Sequence, residues 1–172
     1  MRVDLKGGFY MSQVVGSMRR LDETRGAVRM EVVYDVVASE LWSALTDPTR
    51  LARWIAVVEG DLRVGATVHA TFTSTWDGPG RIDVCEAPRH LQVTMEPGTE
   101  DEAVIDVVLT AEGARTNVVV EERGLPLNVL YMHGAGWQAH VEDLGRHLSG
   151  EASIWKARWE ELKPSYETMS VP

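Results

Sequence analysis

His133, His140 and His147 recur at seven-residue intervals, a spacing that returns a helix to nearly the same face. Such a row invites a metal-site reading, and distance argues against it. Seven residues of helix rise about 10 Å, whereas two ligands of one zinc ion lie within roughly 4 Å of each other. Only His140 with Asp143, or Asp143 with His147, falls within reach, and pairs of this kind are more often surface hydrogen bonds. No metal ligand is assigned. His133 and His140 are read as polar groups of a pocket wall, with surface or helix-end positions as the plain alternative. Cys85 is the only cysteine, and the carboxylates of Asp83 and Glu86 beside it give no activation, so a structural thiol is expected. The chain carries no Gly-x-Ser-x-Gly elbow, phosphate loop or dinucleotide fingerprint, so no cofactor is expected.

Tryptophan usage is the second chemical signal: six Trp stand against two Phe. Large aromatics ordinarily fill a core, which is the reading for Trp42. Trp54, Trp76 and Trp137 fall at element junctions, where an indole can stack on a planar ligand while its N–H finds a partner. With Phe72 on a neighbouring strand, the candidate ligand-binding set is Trp54, Phe72, Trp76, His133, Trp137 and His140. No catalytic residue is singled out. Arg81 with Asp83, and His69 with Thr71, alternate with apolar residues and are assigned to solvent, because a buried charge needs a partner.

The elements that must position these groups follow from periodicity. Residues 1–11 read as a flexible leader, and 12–21 carry a mixed pattern. Alternation over 27–36 predicts a strand with Val28, Met30, Val32, Tyr34 and Val36 on its buried face. Two short helices follow. Ser39 is the expected N-cap of the first, Asp47 caps the second, and Pro48 occupies the first position of that second helix. Short apolar runs then predict strands at 55–59, 67–73, 81–86, 91–96, 103–111 and 116–123, with 77–80 among the turns between them. From Asn128 to Leu148 the period becomes helical, with Gln138, Glu142, Asp143 and Arg146 on the outer side. Gly134, Gly136 and Gly145 each cost about 1 kcal/mol of helix propensity there, so packing must hold this helix. Ser153 can cap a tail helix bearing Trp155, Trp159 and Leu162, which Pro164 ends. That tail has three available roles: a lid, a homodimer interface, or packing on its own subunit.

Bulk properties narrow the partners. A length of 172 residues with 44% hydrophobic content suits one core. A net charge of -9 gives neither nucleic acid nor an anionic membrane a basic surface to bind. The lone cysteine and the lack of a long apolar run point to a cytoplasmic address.

Particular strings add a resemblance. Leu41-Trp42-Ser43-Ala44-Leu45-Thr46-Asp47-Pro48 running to Leu51-Ala52-Arg53-Trp54 resembles the opening signature of the SRPBCC superfamily, in the branch related to the activator of the ninety-kilodalton heat-shock chaperone's ATPase. Gly60 with Gly65, Ala87-Pro88-Arg89-His90-Leu91, and Gly136-Trp137 followed by Val141, Leu144 and Leu148 match the same branch in order and spacing. The resemblance implies an α+β helix-grip (START-like) fold: a curved antiparallel sheet of about six or seven strands around a long C-terminal helix. The resemblance spans about Ala27 to Gly150, within a domain read as 12–150 that is followed by the tail at 151–172. It also implies an apolar cavity for a small hydrophobic or aromatic molecule. Two other uses of the fold stay open: an aromatase/cyclase-like enzyme with His133 or His140 as general base, and a chaperone- or protein-interaction module.

Overall fold

Strands whose alternate residues are apolar can bury only one face, so they need a helix laid against it. The computed structural model describes residues 2–172 and meets that need with one sheet of ten antiparallel strands and four α-helices. The strands are β1 (Arg2–Asp4), β2 (Tyr10–Ser12), β3 (Val15–Arg20), β4 (Arg25–Tyr34), β5 (Ala56–Glu59), β6 (Thr67–Phe72), β7 (Asp77–Glu86), β8 (His90–Met95), β9 (Ala103–Glu112) and β10 (Arg115–Pro126). The helices are α1 (Ala38–Thr46), α2 (Pro48–Trp54), α3 (Leu130–Leu148) and α4 (Trp155–Glu167).

From β5 to β10 each strand pairs with its sequence neighbour, and β10 then returns to pair with β4. The other edge of β4 is occupied by β3 and, at Tyr34, by β2. Val118 stands opposite Val32 and Val120 opposite Met30, so the inward faces of the two central strands coincide. This is the helix-grip architecture, with more strands than the sequence reading allows. The additional ones are the short β1 and β2, together with β3, where the burial pattern of Val15–Arg20 shows only one buried residue, Met18. A strand with so little buried surface leaves almost no alternation to detect.

Other departures have local causes. Asp77–Gly80, expected as a turn, is the first part of β7 and pairs with Ala70 and its neighbours on β6. The glycines are there because the sheet surface is occupied: a Cβ on Gly78 would lie 2.8 Å from the Trp76 ring. The hairpin turn falls instead between Phe72 and Trp76. Ser39 does not cap α1, whose N-cap is Val37 with no side-chain bond. Asp47 does cap α2, accepting from the backbone N–H of Thr49 at 2.8 Å and of Arg50 at 3.4 Å. Pro164 lies inside α4 and does not end it; it and Glu160 are exposed, so the carbonyl freed by the missing N–H faces solvent. Asp143, expected outside, is 1% exposed. Its carboxylate accepts from the Ser153 hydroxyl and from the backbone N–H of Ile154, which fixes the connection into α4. Burial raises the Asp143 pKa, and those two hydrogen bonds oppose the rise.

Two of the costly glycines of α3 find their explanation in close approach, Gly134 to the tail and Gly145 to β2. A Cβ at Gly134 would stand 2.5 Å from the Tyr166 ring of α4, and one at Gly145 would stand 2.6 Å from Met11 Sδ. Gly136 is looser, with Trp155 at 3.4 Å. Close approach is then fixed by polar contacts. Trp155 Nε1 donates to the Gly136 carbonyl at 3.0 Å, Trp159 Nε1 to the Met132 carbonyl at 3.0 Å, and Arg158 makes two bonds to Glu142. Within the chain, α4 packs along α3.

Gly134→Ala therefore lowers stability by about 1 to 3 kcal/mol through overpacking against Tyr166, although Ala is the better helix former. Gly136→Ala is tolerated. Urea denaturation of the two variants separates the effects.

Candidate functional site

Inward-facing residues of β8, β9 and β10 point toward α3, and the helix does not fill the space. A cavity of about 490 Å³ remains between α3, α4 and this part of the sheet. Its walls are Met95, Ala103 and Ile105 from the middle strands, Glu122 and Leu125 from β10, His133, Trp137 and His140 from α3, and Trp155 and Trp159 from α4. Phe72 and Trp76, from the hairpin joining β6 and β7, complete the wall with their rings edge to face at 5.6 Å. Thr75, in that hairpin, and Glu96, on the wall, have positive φ (74° and 49°). Both are non-glycine residues held in a costly backbone region.

Five of the six candidate residues meet here: Phe72, Trp76, His133, Trp137 and His140. Trp54 does not join them. Its indole is buried, with Nε1 donating to the Ala44 carbonyl at 3.0 Å, and it borders a smaller apolar void of about 110 Å³ behind Phe72, Met95, Ile105 and Trp137.

Sequence reading missed Glu122, and it placed Trp155 and Trp159 in a tail with a lid among its roles, without adding them to the candidate set. Glu122 is 8% exposed. A signal for it exists, because Thr116, Val118, Val120 and Glu122 alternate, and all four are buried. Extending the register past the valines puts a carboxylate on the inner face. Its Oε2 accepts from Trp137 Nε1 at 2.6 Å and lies 3.2 Å from His133 Nδ1. Both contacts fall on the same oxygen, so Oε1 has no protein partner among the described residues. A proton on His133 Nδ1 directed at Glu122 leaves Nε2 as the basic nitrogen.

His140 is held differently. It is 4% exposed, stacked on Trp155 at 5.3 Å, and in edge contact with Trp137 at 5.5 Å and Phe72 at 6.1 Å. Its Nδ1 is buried without a hydrogen-bond partner. Burial alone pushes this imidazole down to about 3, so it is neutral at physiological pH and a weak base. His147, the third of the series, lies apart, accepting from Arg50 Nε at 3.1 Å. Cys85 is half-buried, with Sγ 3.6 Å from the Leu62 carbonyl, away from the cavity. Among the described residues no group of three potential ligands gathers to hold a metal, and no helix is long and apolar enough to cross a membrane.

Comparison with known proteins supplies the context. The sequence profile of the family described as Activator of Hsp90 ATPase homolog 1-like protein matches residues 35–149. Among solved structures, CalU16 from Micromonospora echinospora is 25% identical, with 92% of this chain and 98% of that chain covered and a TM-score of 0.75. DynU16, a protein in the dynemicin biosynthetic locus, is 27% identical with a TM-score of 0.67. The match covers 74% of this chain and 49% of DynU16. A Bordetella parapertussis protein at 24% identity shares the fold, with 89% of this chain and 90% of that chain covered and a TM-score of 0.68. No curated protein matches the sequence.

The depressed pKa of His140 has a measurable sign. Its folded value of about 3 lies below the ordinary 6.5, so the unfolded chain binds the extra proton first. This group's stability contribution is intact above about pH 6.5 and is lost progressively as pH falls toward 3. His140→Phe, which keeps the ring packing, removes that dependence. Between pH 6.5 and pH 5 the wild type loses about 1.5 kcal/mol more than the variant. Denaturant titrations at the two pH values read the difference directly.

Proposed function

The chain belongs to the family of Activator of Hsp90 ATPase homolog 1-like proteins, and on that premise we propose that it takes up a small hydrophobic or aromatic molecule between α3, α4 and the sheet. The observation that carries this reading is the unfilled space of about 490 Å³. Four of the six tryptophans line it, and a few polar atoms are placed among them. A volume of this size falls in the common range for small-molecule pockets, roughly 300 to 1,000 Å³. A guest burying about 200 Å² of apolar surface gains about 5 kcal/mol from that source, before the costs of association. Similarity to CalU16 and DynU16 supports the fold of the carrier and does not name the guest.

A second reading is favoured by one contact. With Nδ1 of His133 directed at Glu122, Nε2 can accept a proton from an acidic C–H or O–H of a bound molecule. The resulting imidazolium is stabilised by the adjacent carboxylate. Buried His140 is poorly suited to that task, because a base of pKa about 3 has little driving force near neutrality.

For the carrier reading, intrinsic tryptophan emission titrated with a panel of naphthyl and alkyl-aryl compounds shows saturable quenching. Native mass spectrometry shows one bound molecule. Ala103→Phe, which builds a ring into the cavity, weakens binding at least tenfold while the far-ultraviolet dichroism is unchanged. Lack of saturation across the panel defeats the reading. For the second reading, the protein accelerates solvent deuterium exchange into an aryl beta-diketone followed by proton NMR, and His133→Gln abolishes the acceleration. Equal rates with and without protein count against it.

A further inference from the structure

The polar lining of the cavity has one sign. Glu122, Glu96 and Asp101 contribute carboxylates, and no Lys or Arg stands among the residues that form the wall. A pocket for a fatty acid, a phosphate or another anion needs a cation or a cluster of N–H donors, and this wall offers neither. Glu122 is the informative member. Its carboxylate is buried among apolar side chains, one oxygen is held by Trp137 and His133, and the other is uncommitted. A carboxylate oxygen that is reached from the cavity and has no protein donor is open to a positive partner.

The aromatic groups suit the same partner. Indole faces attract cations; Trp159 carries Lys163 Nζ at 4.5 Å from its ring centroid and Trp155 is stacked on His140 and Trp159, which leaves Trp137 to a guest. His140 lies on the same wall and is almost wholly buried. Because burial keeps that imidazole uncharged, it does not repel a cation.

We infer that the guest is a hydrophobic or aromatic amine, bound as its ammonium ion, with the positive charge on Glu122 Oε1 and the apolar body against Trp137 and the aliphatic side chains of Met95 and Ile105. This rests on the carrier reading and specifies its ligand class. The acidic chain as a whole assists approach, since a net charge of -9 raises the local concentration of cations.

A matched series of probes tests it by isothermal titration calorimetry at about pH 8, above the ordinary histidine range, in about 0.3 M salt to screen long-range attraction. The probes are naphthylmethylamine, naphthalenemethanol and naphthoate. The ammonium binds roughly ten- to hundredfold more tightly than the alcohol, as a charge-assisted hydrogen bond provides, and the carboxylate binds most weakly. Glu122→Gln removes the preference for the amine, and a far-ultraviolet dichroism spectrum and melting transition like those of the wild type show that the variant is folded. Should the variant fail to fold, the wild-type ranking decides alone. Equal binding of amine and alcohol, or tightest binding of naphthoate, overturns the amine assignment while leaving the carrier reading intact. Failure of all three probes to bind overturns both.

Discussion

α3 has to meet two opposed demands: it must lie very close to α4 along one flank and stand clear of the sheet along another. Side-chain size settles the matter. Where Tyr166 of the tail crosses α3, the position is Gly134, and a Cβ there would meet its ring. The missing Cβ lets the tail lie close, and Trp155 and Trp159 serve as part of the cavity wall. The lost helix propensity is offset by burial of Tyr166 and Trp155 and by the hydrogen bonds of Trp155, Trp159 and Arg158 to α3. The tail is thus a wall element of the cavity, and the polar pair of Asp143 with Ser153 sets the angle at which it arrives.

The interior polarity depends on that arrangement. A carboxylate among indoles and aliphatic chains is tolerable only because Trp137 Nε1 donates to it and His133 stands beside it. Trp137 has two neighbours in the site, since its ring edge also meets His140. The aromatic groups therefore position the charged and uncharged polar atoms relative to one another, as well as excluding water. The cost of leaving His140 Nδ1 unsatisfied, about 1 to 3 kcal/mol, is carried by the rest of the core.

Much of this architecture was legible in the sequence, because period-two runs such as Val28 to Tyr34 and Val118 to Val120 identify strands and their inner faces. The cap at Asp47 and the long helix up to Leu148 were legible for similar reasons: each is set by neighbours within a turn or two. What escaped was non-local. Met18 alone is buried on β3, so that strand has no pattern of its own, and it exists because β4 offers an open edge. The run at 77–80 looks like a turn by composition, yet the glycines there make room for Trp76 and Met95. In the site, Phe72, Trp76, His133, Trp137 and His140 could be selected by residue type and position. Trp54 has the same type at a similar junction, and only packing tells that its N–H is spent on the Ala44 carbonyl. Glu122 was overlooked because acidic residues near strand ends are usually wet, although the alternation that precedes it points inward.

The pairing of β4 with β10 has a consequence for how the molecule assembles. The hairpins of the meander link near neighbours and can close quickly, whereas β4 must wait for a partner from beyond the whole meander. Loop-closure entropy makes that zipping the slow, late event. Only after it can α3 settle across the sheet, and only after α3 can the final helix dock on its glycines. A guest that binds the completed hollow holds the molecule folded by mass action.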